Sequence, residues 1–135
     1  MTAVDVTKLP SFKSREILGG KVLAIDDQTG AATLRYMPPT DLNNANGTVL
    51  GGYLTAMIDD AAGAATWFGC GQRSFTTAQM SANFLRAAKP NESLIAEATI
   101  IGSGARQAFV EVRLKREVDG KIIATASLVQ TFINT

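Results

Sequence analysis

With 135 residues, 46% of them hydrophobic and 19% charged, the chain can bury one respectable core and is expected to form one domain over residues 1–135. Thirteen Lys and Arg against twelve Asp and Glu leave a net charge of +1, and no dense basic cluster is interleaved with aromatics, which argues against nucleic acid as the main partner. Histidine is absent, so Ser-His-Asp and Cys-His mechanisms, His-dependent dehydratases and most catalytic zinc sites drop out, and acid–base work falls to carboxylate, lysine, tyrosine and backbone.

No GxxxxGK[ST] stretch is present, so no ordinary P-loop is expected. Cys70 is the single cysteine, which excludes an intrachain disulfide and reads as a small buried or half-buried residue. The first residues, MTAVDVTKLPS, lack an apolar segment of signal-peptide length, and the one long apolar run is too short and too acidic to span a bilayer. A soluble cytoplasmic protein with no membrane partner is therefore expected.

In chain order, residues 1–17 carry little pattern beyond one short helix near 11–18 that stops at Gly19 and Gly20. Residues 21–26 are apolar in Val22, Leu23, Ala24 and Ile25, and residues 31–36 alternate Ala32, Leu34 and Tyr36 with Thr33 and Arg35. These pair as a hairpin around Asp27, Gln28, Thr29 and Gly30. Pro38 and Pro39 end it, and residues 40–46 form a loop rich in turn residues.

The loop opens a long helix through Asn44, Asn46, Gly47, Thr48, Val49, Leu50, Gly51 and Gly52. Two glycines at a helix start admit a ligand or another chain close to the backbone, where unpaired N–H groups and the positive end of the dipole favour an anionic or polarised oxygen. From Tyr53 to Phe68 apolar residues occupy nearly every side, which predicts a buried helix, and the adjacent Asp59 and Asp60 inside it then need an explanation. Asp60 reads as the solvent- or interface-facing member, satisfied by a hydrogen bond. Asp59 reads as the chemical one.

Beyond Gly71 the period changes to two. Thr76, Ala78, Met80, Ala82 and Phe84 are expected on one face, with Phe75, Thr77, Gln79, Ser81 and Asn83 on the other; two more alternating strands follow, around Leu94 to Ile100 and Val110 to Leu114. Asp119-Gly120 signals a hairpin into a last strand over residues 121–133. The turns are too short for parallel crossovers, so the order predicts an α+β domain with an antiparallel sheet laid over one long helix.

This order, with Asn44, the run from Gly47 to Gly52, and Asp59 eight residues after Gly51, resembles the hot-dog-fold acyl-CoA thioesterases of the phenylacetyl-CoA thioesterase-like family. The resemblance covers roughly residues 22–133. Its relatives carry N-x-x-G-x-x-H-G-G, then an acid on the helix and a Ser or Thr on the next strand. It implies that Asn44 orients carbonyl or water, that the Gly51 N–H binds the thioester carbonyl, that Asp59 is the base, and that Thr77 holds the attacking water. Leu50, Gly52 and Tyr53 would then border the substrate, and Arg86 and Arg106 would be placed to meet the phosphates of coenzyme A. Leu50 is the departure, since it stands where relatives have histidine or glutamine.

Gly51 and Asp59 lie about 12 Å apart along one helix, so a shared site requires Gly51 of one chain to face Asp59 of another across a two-fold axis. The resemblance implies such a homodimer, its sheets joined into one continuous sheet, and admits a second pairing into a homotetramer. The expected activity is metal-independent hydrolysis of an acyl-CoA, with coenzyme A entering only as part of the substrate and no separate cofactor. Tyr53, Leu54, Met57 and Trp67 are expected to line the acyl pocket. A non-catalytic acyl-CoA-binding protein, favoured by Leu50, and an interaction module whose helix aspartates are structural are the alternatives.

Overall fold

The computed structural model describes residues 3–133. After a 3₁₀ turn, Val6–Lys8, come α1 (Lys13–Ile17), the strands β1 (Gly20–Ile25) and β2 (Ala32–Tyr36), a second 3₁₀ turn, Thr40–Leu42, and the long helix α2 (Gly51–Gly69). Four strands follow: β3 (Phe75–Phe84), β4 (Leu94–Ser103), β5 (Gln107–Arg116) and β6 (Ile122–Phe132). They form a six-stranded sheet ordered β1-β2-β4-β5-β6-β3, with every neighbouring pair antiparallel. The chain leaves β2 through α2 and returns at the far edge of the sheet, so the helix lies across its inner face. Leu54, Met57, Ile58, Ala61 and Ala65 of α2 pack there on Leu34, Leu94, Val110, Val112 and Leu114.

Both expected hairpins are present. Between β1 and β2 the Asp26 carboxylate accepts the N–H groups of Gln28 and Thr29 at 2.8 and 3.3 Å, bonds to the ionised form that hold its pKa below the usual value. Gly30, at φ +78°, closes this turn against the end of α2, where a Cβ would stand 2.3 Å from the Ala65 carbonyl oxygen. Between β5 and β6, Gly120 at φ +71° donates to the Arg116 carbonyl at 2.8 Å.

Two expectations are corrected. First, α2 is not buried all round: Gly52, Asp59 and Trp67 are exposed and Ala56 and Gly63 half-exposed, a stripe at helical spacing that the sheet does not cover. Alanine and glycine are apolar without being confined to a core, so their abundance hid the stripe. Second, the faces of β3 are not those of a regular strand. A bulge at Ala78 shifts the register between Thr77 and Gln79, so Phe75 and Thr77 share the helix-facing side with Met80, Ala82 and Phe84. Without that extra residue Thr77 would point away from the helix.

The N-terminal segment is more structured than its sequence suggests. The Val4 N–H donates to the Ile25 carbonyl at 3.0 Å, and α1 falls inside the short helix expected near 11–18. Among the described residues no helix is long and apolar enough to cross a membrane.

Candidate functional site

The loop into α2 is braced by its own asparagine. Asn44 Oδ1 accepts the backbone N–H groups of Asn46 (2.9 Å) and Thr48 (3.2 Å) and the Thr48 hydroxyl (3.1 Å), an Asx-type turn closed by the Asn44 N–H on the Thr48 carbonyl at 2.7 Å. The oxygen of Asn44 is thus occupied with loop geometry, and its amide N–H₂ is the end left for another group. Val49 and Leu50 are tied to the carbonyls of Ala88 and Leu42, which fixes how the chain enters the helix.

Leu50 is the N-cap and supplies no side-chain cap. The first helical bonds are those of Tyr53 and Leu54 to the Leu50 carbonyl, so the N–H groups of Gly51 and Gly52 precede the ladder. Neither glycine is required by its own chain. Neither has a positive φ, a Cβ on Gly51 would meet the Phe84 ring at an ordinary 3.6 Å, and one on Gly52 would approach only Leu50, at 4.0 Å. Around this helix end Leu50, Phe84 and Leu85 form an exposed apolar rim. Tyr53 is half-buried, with its ring packed against the core.

Two turns further along α2 the aspartates part. Asp59 is exposed, on the uncovered stripe, and its Oδ1 accepts the Thr77 hydroxyl at 2.7 Å across the β3 bulge. Asp60 turns inward, correcting the expectation that it faces solvent or an interface. Its carboxylate accepts Arg15 Nε at 2.9 Å and Nη2 at 3.2 Å, and the Tyr36 hydroxyl at 2.7 Å. Burial, then the adjacent Asp60 carboxylate, push the Tyr36 hydroxyl far above its ordinary pKa, so it acts as a fixed donor. Asp60 was read correctly as a satisfied group, while the burial argument for Asp59 does not hold within one chain.

Asp59 stands at the edge of an apolar cavity of about 630 Å³ between α2 and the N-terminal segment. Leu9, Phe12, Trp67, Phe68 and Phe75 supply most of its wall, and Arg15 and Asp60 its polar end. Of the expected pocket residues only Trp67 takes part, since Leu54 and Met57 are buried under the helix. Leu9, Phe12 and Arg15 come from a pattern-poor N-terminal segment that offered no sequence signal for them. Arg86 is exposed but its Nη1 donates to the Ile122 carbonyl at 2.8 Å, and Arg106 is exposed in the β4–β5 turn. The structure therefore brings together Asp59 with Thr77, and Asn44, Leu50, Gly51 and Gly52 with one another, as two clusters at separate levels of the same helix.

An antiparallel sheet wrapped on one long helix, with a loop-to-helix Gly-Gly start and an acid two turns on, is the α+β hot-dog architecture, and known structures agree. A phenylacetic acid degradation-related protein of Ralstonia eutropha shares 29% identity, over 92% of each chain, with a TM-score of 0.82. The PaaI protein from the phenylacetic acid degradation operon of E. coli superposes with a TM-score of 0.81 at 19% identity, over 89% of this chain and 83% of that one. A hypothetical thioesterase protein of Streptococcus pneumoniae solved with coenzyme A gives a TM-score of 0.78 at 18% identity, over 86% of this chain and 87% of that one. No curated protein matches the chain in sequence. The Thioesterase superfamily profile matches residues 46–123, from the Gly-Gly loop to the start of β6, and the chain belongs to that superfamily.

Proposed function

We propose that the chain is an acyl-CoA thioesterase that uses Asp59 as general base. The observation that carries this reading is the Asp59–Thr77 pair: an exposed carboxylate, oriented by one hydroxyl at 2.7 Å, standing at the edge of an apolar cavity. One carboxylate oxygen is held by Thr77 and the other is left for a water. That water attacks the thioester carbon while Asp59 takes its proton, and the carbonyl oxygen gathers negative charge on the Gly51 N–H. Collapse breaks the C–S bond, and the proton on Asp59 passes to the departing thiolate, giving free acid and coenzyme A. The apolar cavity suits a medium-length or aromatic acyl group.

Gly51 lies about 12 Å along the helix from Asp59, so the oxyanion donor comes from a second copy packed antiparallel. The uncovered α2 stripe and two glycines that their own chain does not require support that arrangement. Its sheets would join into one continuous sheet, and a further pairing into a tetramer is compatible with it. In this assembly Asn44 works through its amide N–H₂ on the carbonyl or the water, Leu50, Gly52 and Tyr53 border the substrate, and Arg86 and Arg106 meet the coenzyme A phosphates. No metal or separate cofactor enters the chemistry.

The specific observation favouring a second reading, a binder without turnover, is Leu50, an exposed apolar side chain at the helix start. Free-thiol release across a panel of acyl-CoA esters, with binding measured in parallel, separates the two. Thiol release supports the enzyme, tight binding without release supports the binder, and failure to bind any CoA ester overturns both.

A further inference from the structure

Apart from Tyr36, whose hydroxyl donates to Asp60, Thr66 and Gln130 are the polar side chains wholly buried among the described residues. Thr66 is satisfied by donating to the Ala62 carbonyl at 2.7 Å. Gln130 is not: neither its Nε2 nor its Oε1 has a hydrogen-bond partner among the described residues. An apolar residue of the same shape would spare the fold the desolvation of that carboxamide, so its presence in the core asks for a use.

Its place in the sheet supplies one. Gln130 lies in register with Thr77 of β3 and, on its other side, with Ala108 of β5. It follows the core-facing alternation of Ala126 and Leu128 along β6, and the bulge at Ala78 puts Thr77 on that same face. Directly opposed residues on one face have Cβ atoms about 5 Å apart. Gln130, Thr77 and Asp59 thus form a row of polar groups running from the buried sheet to the exposed edge of the cavity. Ala108 is small and offers the amide no polar partner. The Thr77 hydroxyl has one proton, given to Asp59, and lone pairs that can accept.

We propose that Gln130 is a positioning residue for the hydrolytic reaction: its amide N–H donates to one internal water, which in turn donates to Thr77 Oγ1 and so keeps the hydroxyl proton directed at Asp59 Oδ1 and the second carboxylate oxygen open to the nucleophilic water. An internal water of this kind satisfies otherwise unpaired buried groups, and a donor feeding the hydroxyl strengthens the bond that the hydroxyl makes in turn. The proposal rests on Asp59 being the base. It makes Gln130 act on turnover rather than on substrate binding, and only through Thr77.

The test is a double-mutant cycle in the full chain, with Gln130→Met, Thr77→Val and the double variant assayed on the acyl-CoA ester that the wild type hydrolyses fastest. Gln130→Met is expected to lower kcat about 5–10-fold, the size of coupling usual for contacting network residues, with KM within about twofold and a melting temperature unchanged or raised. In the Thr77→Val background the same change is expected to leave kcat unaltered. An equal loss in both backgrounds, or an unchanged kcat with a lowered melting temperature, would overturn the proposal. A high-resolution crystal structure of the wild type reads it independently of any variant: a water within hydrogen-bonding reach of both Gln130 and Thr77 is expected, and a dry contact overturns it. Asp59→Asn keeps the two failures apart. Full activity there sinks the base assignment itself, while an inactive Asp59→Asn beside an additive cycle sinks only the role of Gln130.

Discussion

Replacing Arg15 by methionine removes the one guanidinium that ties the N-terminal segment to the central helix. Its side chain is 11% exposed and that of Asp60 16%, and the two bonds at 2.9 and 3.2 Å make the pair bidentate. Truncating one member of a buried pair typically costs about 3–5 kcal/mol, because the other charge is left without its partner. Tyr36 still donates to Asp60 at 2.7 Å and offsets part of that, which places the expected loss near the low end, about 3 kcal/mol. For a chain of this length about 3 kcal/mol corresponds to a fall in melting temperature of roughly 10 °C. The assay is urea unfolding followed by circular dichroism and by the fluorescence of Trp67, the only tryptophan and itself part of the cavity wall. The midpoint should fall at unchanged m, and replacing Asp60 by leucine in the same chain should recover much of the loss, since no buried charge then remains. A loss under about 0.5 kcal/mol for Arg15→Met would mean a solvated surface pair, and the reasoning about the N-terminal segment would be refuted.

Leu50→Gln and Leu50→His should leave the melting temperature within a degree or two, since the side chain is exposed, and should raise kcat by supplying a polar group beside the thioester; if both fold and neither changes the rate on any substrate, Leu50 limits nothing. Sedimentation at micromolar concentration should give about twice 14.3 kDa or a multiple of that, and an active monomer would contradict a shared site. Tyr36 should stay protonated until the fold opens, because its folded pKa is raised: the stabilisation it brings is complete below the unfolded tyrosine pKa and is lost as pH rises above it. Absorbance at 295 nm and circular dichroism followed together to high pH check this, and ionisation of both tyrosines in a chain with native dichroism would be the contrary result.

The fold was legible wherever the pattern was regular. Alternation in β4 and β5, Gly30 and Asp119-Gly120 at the turns, and the long apolar run of α2 all carried through to the structure, because a single inner face must bury the same residues that the period selects. Thr77 shows the limit. The hydroxyl was found by resemblance, but its strand was read on the wrong face because a bulge adds one residue and leaves no mark in an alternating sequence. Asp60 was legible as a satisfied group, yet the burial of the two aspartates was inverted, since the partners of Asp60 lie 45 and 24 residues away at Arg15 and Tyr36. The cavity was missed because one side of its wall, from Leu9 to Arg15, belongs to an N-terminal segment with no periodicity. Gln130 did leave a signal, as the polar member of the run Leu128, Gln130, Phe132, but only the sheet register shows that it lies beside Thr77.

The central claim is that Asp59, and not its neighbour, moves the proton. Asp59→Asn and Asp60→Asn should be compared on one substrate for kcat, for acyl-CoA binding and for assembly. Asparagine is nearly isosteric with aspartate, so Asp59→Asn should fold, assemble and bind as the wild type does while kcat falls by about 10²–10⁴, the range of a positioned general base. Asp60→Asn should lower stability far more than turnover, because Asp60 answers Arg15 and Tyr36. Full activity in Asp59→Asn, or a larger loss of kcat in a correctly assembled Asp60→Asn, would contradict the assignment.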